Sequence, residues 1–230
     1  MINKMKCMFS GLAAQFLKPT LALLAACIVG GAWADSYYWE GNCAWFTAEN
    51  WSNSSAPAAD ATGHTVEMQN FGADSTVTAT ISSDFTIGSW WIAGGNFGAD
   101  NQLTIRQTAG TVTVKDNMAM GTFDNSGGLY EITGGSYNSA VNFIVGRNVG
   151  GESKLLVNGG AVNLTGDLVA GDTSAATGRC SVVSGTLAVG SSVNDTVKWT
   201  KLGQSGYGEL NIEGGLSYIP WKCNFGARKG

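Results

Sequence analysis

Apolar residues recur at every second position in short bursts along the second half of this chain, and the bursts themselves recur. One set reads Leu155-x-Val157, Cys180-x-Val182 and Leu210-x-Ile212, with Tyr130-x-Ile132 ahead of them and Leu103-x-Ile105 displaced by two residues. A second set reads Val112-x-Val114, Tyr137-x-Ser139, Val162-x-Leu164, Leu187-x-Val189 and Ser217-x-Ile219. A third reads Met118-x-Met120, Phe143-x-Val145, Leu168-x-Ala170 and Cys223-x-Phe225. Alternation of this kind is the signature of a strand with one face buried.

Glycines punctuate the bursts. Gly110, Gly135, Gly160, Gly185 and Gly215 follow the first set, at intervals of 25, 25, 25 and 30 residues. Gly121, Gly146, Gly171 and Gly226 come 11 residues after Gly110, Gly135, Gly160 and Gly215; in the fourth copy Gly203 takes this place after a seven-residue insertion. Each repeat of about 25 residues therefore holds three short strands joined at tight bends, where positive φ or close backbone approach favours glycine. One repeat cannot bury its inward residues alone, and stacking closes the core. The predicted fold is all-β: a right-handed parallel β-solenoid with rungs about 4.8 Å apart. Ile105, Val112, Ile132, Val162, Leu164, Val182, Leu187, Val189 and Ile212 are its expected core.

Thr76 to Ile81 and Phe85 to Ile87 alternate well enough to be an earlier rung. Trp90-Trp91-Ile92-Ala93-Gly94 resembles Gly166-Asp167-Leu168-Val169-Ala170-Gly171, and taking Gly94 as the first of the second glycine series gives roughly five and a half turns. Residues 35–75 lack the period but hold Trp39, Trp45, Phe46 and Trp51. A solenoid's first rung exposes strand edges, so this segment is expected to be an N-terminal cap with a tryptophan core. Residues 76–230 form the solenoid. The sequence stops at Gly230 partway through a copy, so the expectation is either that the solenoid is truncated there or that its last rung is uncapped and open to end-to-end self-association.

Composition narrows the function. Of 230 residues, 33 are Gly, 3 are Pro and 13% are charged. Ordinary domains are about 25% charged, so the surface must be largely Ser, Thr, Asn and Gly. Residues 1–34 read as an export signal. Lys4, Lys6 and Lys18 precede the apolar run Leu21 to Val29, and Ala32-Trp33-Ala34 offers a cleavage site. A rival reading takes Leu24-Ala25-Ala26-Cys27 as a lipoprotein box with lipidation at Cys27. Removing 1–34 takes three of the 13 Lys+Arg and none of the 17 Asp+Glu, leaving 10 − 17 = −7. That balance argues against nucleic acid as a partner. Cys43, Cys180 and Cys223 remain, with no metal or disulfide spacing, and read as small buried apolar residues.

The start Tyr38-Trp39-Glu40-Gly41, followed by Glu49-Asn50-Trp51-Ser52, is similar to the opening of many bacterial exported repeat-containing β-helix proteins related to autotransporter passenger domains. The later Leu-x-Val-x-Gly-Gly and Val-Gly units resemble their repeats. The resemblance implies export, β-helix architecture and surface display or adhesion. It supplies no catalytic residue, and the translocator barrel of complete members is missing from this sequence.

Catalytic chemistry finds little purchase. Enzymatic β-helices need carboxylates grouped on adjacent rungs, for acid–base work or calcium. The column Asn117, Asn142, Asp167 holds one acid and two amides, continues as Trp199 and Lys222, and reads as side chains satisfying backbone groups at a bend. His64 stands alone outside the repeats, and no Gly-x-Ser-x-Gly surrounds a serine. Gly94 to Asp100 is one residue too long for a calcium nonapeptide and occurs once. The expectation is a protein with no catalytic role, no cofactor and no metal. Its function is then structural or adhesive display at a bacterial surface, with surface glycans or host or neighbouring-cell proteins as partners. The alternative is an extracellular carbohydrate-binding or polysaccharide-degrading β-helix, with Trp39, Trp45 and Trp51 as a stacking platform for sugar rings.

Overall fold

A computed structural model describes residues 36–39, 43–44, 51, 56–68, 77–92, 103–122, 127–148, 151–190, 198–219 and 223–225. All belong to the compact unit Ala34–Gly230. It is a parallel β-solenoid in which every strand pairing among the described residues is parallel and joins one turn to the next.

Each turn contributes to three stacks. The leading stack contains β2 (Cys43–Ala44), β4 (Val77–Ile81), β6 (Leu103–Gln107), β9 (Gly128–Ile132), the first parts of β12 (Glu152–Leu164) and β14 (Thr177–Val189), and β16 (Tyr207–Ile212). The middle stack contains the starts of β3 (Asp60–Met68) and β5 (Phe85–Ile92), then β7 (Thr111–Val114), β10 (Ser136–Ser139), the second parts of β12 and β14, and β17 (Leu216–Tyr218). The trailing stack contains β1 (Ser36–Trp39), the ends of β3 and β5, β8 (Met118–Met120), β11 (Phe143–Val145), β13 (Leu168–Ala170), β15 (Thr200–Leu202) and β18 (Cys223–Phe225).

The register follows the apolar alternation. Val112 pairs with Tyr137, Tyr137 with Val162, and Val162 with Leu187, and all four side chains are fully buried. Stacking them removes their apolar surface from water, worth about 1.5–3 kcal/mol for each aliphatic side chain. Phe85, Trp90, Tyr130, Tyr137 and Phe143 run through the same interior, with successive ring centroids 5.9, 5.3, 5.7 and 5.3 Å apart. The first three contacts are edge-to-face, the geometry that the ring quadrupole favours.

Three departures from the expected pattern have physical causes. In the turns opened by β12 and β14 the first two strands run together, so the bend at the landmark glycine becomes an irregularity within one strand. There Gly159 has φ 128° while Gly160 keeps an ordinary φ; a Cβ on Gly160 would lie 2.4 Å from Ile132 Cγ2, so this glycine answers crowding rather than handedness. The two-residue displacement of the pair Leu103-x-Ile105 is kept in space, with Leu103 opposite Gly128. Ile105 pairs with Tyr130, and Gln107 occupies the position of Ile132, so a buried amide stands where other turns place an aliphatic side chain. The Trp90–Trp91 segment is shifted by one residue from the alignment on Gly94. Trp90 pairs with Met118 and Ile92 with Met120, so Trp90 points inward and Trp91 outward at 36% exposure. A slip of one position exchanges the two faces of a strand.

At the first turns, the segment expected as a cap carries strands in register with the solenoid: β1 pairs with β3, and β3 with β5. At the last described turn Ile212 lies under Val182, as the pattern requires, but is 45% exposed rather than core.

Candidate functional site

The proposed sugar-stacking platform loses Trp51. Its side chain is 1% exposed and belongs to the same core cluster as Ala61, Val66 and Met68, so neither ring face is free to meet a pyranose. Trp39 lies on β1, with its side chain outside the described residues, and Trp45 lies outside them altogether. Gly94 to Asp100 is outside them too. His64 sits half-buried on β3. Among the described residues no group of three or more His, Cys, Asp and Glu is placed to hold a metal.

The column at Asn117, Asn142 and Asp167 works mainly through its backbone. The N–H groups of Trp90, Met118 and Phe143 donate to the carbonyls of Asn117, Asn142 and Asp167, and Leu168 N–H donates to Trp199 O, at 2.9–3.0 Å. Asp167 adds side-chain chemistry: Oδ1 accepts from Trp199 N–H at 2.9 Å, and Oδ2 lies 3.1 Å from Lys201 Nζ. Its carboxylate is thus committed to a bend and an ion pair.

Among the described residues the largest cluster of interacting charges lies elsewhere, on the outward face of the leading stack. Strand pairing sets Arg179 between Lys154 and Glu209. The guanidinium meets Glu209, approaches Glu152 Oε1 at 3.1 Å and lies 5.1 Å from the ring centroid of Tyr207. The Glu152 carboxylate, helped by Glu209, raises the Arg179 pKa against a smaller opposing effect of desolvation. Tyr207 completes the group by donating to Glu209 Oε2 at 3.0 Å. A turn away in the same stack, Arg106 pairs with Glu131 at 2.7 Å. These opposite charges sit one turn apart, and the 25- and 30-residue offsets that reveal the glycines also pair Arg106 with Glu131 and Arg179 with Glu209. Position-by-position comparison of outward residues, rather than a search for stacked acids, finds them. Each acid here faces a cation, which suits fixing neighbouring turns rather than proton transfer.

Two buried groups have the chemistry of a site without its access. Gln107 donates from Nε2 to Gly110 O at 3.0 Å and Ser136 O at 2.9 Å, and its Oε1 accepts from the Tyr130 hydroxyl at 2.5 Å. The amide thereby ties two bends of consecutive turns together inside the core. Burial pushes the Tyr130 and Tyr137 hydroxyls well above the usual phenol range. Cys180 stands in line with Leu155 and Leu210, fully enclosed, and burial pushes its thiol up to about 12. A thiol held protonated and inaccessible is a packing group rather than a nucleophile.

The outward face of the trailing stack is apolar over consecutive turns. Trp91, Ala119, Ile144 and Val169 pair in sequence, and Lys201 follows, although Ala119 and Val169 are themselves buried. Trp91 is the aromatic residue of this stripe and is partly open to solvent. The sequence reading singled out Trp39, Trp45 and Trp51 because they cluster outside the repeat, and passed over Trp91. No family model, curated protein or solved structure matches this chain.

Proposed function

We propose that this chain is an exported structural or adhesive β-solenoid displayed at a bacterial cell surface, acting by presentation rather than catalysis. The observation that carries the reading is the continuous inward stack through Val112, Tyr137, Val162 and Leu187. Backbone ladders and an enclosed core leave the outward positions free to vary, and they do: small and hydroxylated residues on the middle stack, charge pairs on the leading stack, an apolar stripe on the trailing stack. A scaffold of this kind holds binding loops at its corners. The export signal over residues 1–34 supports the location, with anchoring through Cys27 as the alternative route to the same surface. Surface glycans or proteins of a host or neighbouring cell are the partners, and nucleic acid is disfavoured by the −7 balance of residues 35–230.

The test is surface labelling of intact cells expressing the full coding sequence, with an epitope placed in the 191–197 insertion. Labelling without permeabilisation, together with loss of cell attachment on deletion, supports display. Labelling only after lysis refutes it.

Carbohydrate binding is the second reading, and Trp91 is what favours it. An indole at the edge of an apolar stripe offers a face to a sugar ring. Glycan-array binding that disappears in Trp91→Ala, with an unchanged melt, supports that reading. Equal signals from both proteins remove it.

A further inference from the structure

Asn158-Gly159 is the one Asn-Gly step in the sequence, and the fold places it at an irregular point of a long strand. β12 pairs with β9 up to Val157 and with β10 from Ala161 onward. Toward β14 it pairs through Asn158, opposite Ser184, and resumes at Ala161, with a register shift on either side of Asn158. Gly159 therefore stands in a gap of the ladder toward both neighbouring turns. Its φ of 128° lies outside the strand region, and both residues of the step are exposed. At the matching bends the N–H groups of Gly134 and Gly214 make long contacts, 3.4 Å to Gln107 O and 3.3 Å to Val182 O. Thr133 and Glu213 already donate to those carbonyls at 2.8 and 2.9 Å. The ladder thus holds the glycine amide weakly where this bend recurs.

The Asn158 side chain is held from the next turn, where Ser184 Oγ donates to Asn158 Oδ1 at 3.2 Å. That bond polarises the carboxamide and meets the oxygen on which charge develops when Cγ is attacked. Intramolecular deamidation needs an open carboxamide, a following amide nitrogen free of the ladder and unshielded by a side chain, and a donor on the amide oxygen. All three meet here.

We propose that Asn158-Gly159 is a self-modification site, at which the carboxamide closes on the following backbone nitrogen and Ser184 stabilises the oxyanion. Hydroxide removes the Gly159 N–H proton. The nitrogen pair forms a bond to Asn158 Cγ, and the carbonyl π pair moves onto Oδ1, facing Ser184. Collapse of that oxyanion breaks the Cγ–Nδ2 bond, and Nδ2 leaves as ammonia with a proton from water. Water then opens the succinimide. Cleavage at Cγ leaves aspartate; cleavage at the main-chain carbonyl leaves isoaspartate, with one more carbon in the backbone of β12. Either product adds a negative charge beside Ser184. The inference is independent of where the protein is displayed.

Peptide mapping by mass spectrometry tests it, on the full purified chain kept folded in mildly alkaline buffer made with heavy-oxygen water. The expected result is conversion at Asn158 ahead of every other asparagine. The product carries heavy oxygen, and a fraction of it is a substrate for isoaspartyl methyltransferase. Ser184→Ala slows the conversion about three- to tenfold, the kinetic equivalent of one ordinary hydrogen bond. Ser184→Thr restores it, and both variants keep the parent circular dichroism and melt. An Asn158 that stays intact in the folded chain while converting in urea overturns the proposal, because the strand then protects the step. Conversion led by another asparagine overturns it as well. A Ser184→Ala rate equal to or above the parent's overturns the role of the hydroxyl.

Discussion

Gly135→Ala puts the repeat's main landmark to the test. Gly135 has φ +74°, and a Cβ built there would lie 2.1 Å from Gly110 O and 2.7 Å from the Ala109 carbonyl carbon. An L-residue held in the left-handed region costs about 1–2 kcal/mol. The clash adds to this, because it falls on a carbonyl already in use. Gly110 O accepts from Ser136 N–H at 2.9 Å and from Gln107 Nε2 at 3.0 Å. Displacing it weakens two hydrogen bonds worth about 1 kcal/mol each. The expected loss is about 3–4 kcal/mol, which lowers the melting temperature by roughly 6–16 °C in a domain of this size. Gly63→Ala is the control. It also lies in this solenoid, but its added Cβ meets nothing within 4 Å and its φ is ordinary. There the change should be neutral or stabilising by about 0.4–1 kcal/mol, through the unfolded chain. Thermal and urea melts followed by circular dichroism give both numbers. Equal effects from the two substitutions, or a Gly135→Ala melt within about 0.5 kcal/mol of the parent, would refute the reasoning.

Val162→Asp places a charge between Tyr137 and Leu187 with no partner, and should cost roughly 3–5 kcal/mol in a urea titration. Alkaline pH should also weaken the fold. Cys180 has its thiol pushed up to about 12, whereas an unfolded thiol ionises near 8.5. The native state therefore holds a proton that the unfolded chain has lost, so stability is full below about pH 8.5 and falls above it, at up to about 1.4 kcal/mol per pH unit. Tyr130 and Tyr137 steepen the fall above about pH 10 by the same sign. Cys180→Val should flatten the melting profile between those two values while leaving the tyrosine limb. Arg179→Gln should lower the melting temperature less than Val162→Asp does, and high salt should shrink the difference, because its carboxylate partners are exposed to solvent.

Where sequence and structure agree, period-2 alternation and glycine spacing point the same way. Val112, Tyr137, Val162 and Leu187 share one spacing, one inward chemistry and one column. The reading failed where local chemistry broke the apolar rule. Gln107 is polar yet buried, because its amide finds two carbonyls and a phenol. Ser217, polar though it is, pairs with Leu187 as its spacing predicts, so the spacing there outweighs the apolar rule. The Trp90–Trp91 pair lies one residue off the alignment on Gly94, because Trp90 rather than Trp91 pairs with Met118. Trp51 looks like a ligand platform by residue type; only its surroundings reveal a core residue. The Arg179 cluster depends on which residues lie side by side in neighbouring turns, and that becomes visible once the register is fixed.

The central claim is that consecutive repeats lie over one another in parallel register. Solution NMR with selectively labelled Val, Tyr and Leu tests it directly, through nuclear Overhauser contacts along the inward column. Contacts linking Val112 to Tyr137, Tyr137 to Val162, and Val162 to Leu187, with none between Val112 and Leu187, are the predicted result. Antiparallel contacts between neighbouring strands of a single repeat, with no signal across the 25-residue step, would contradict it.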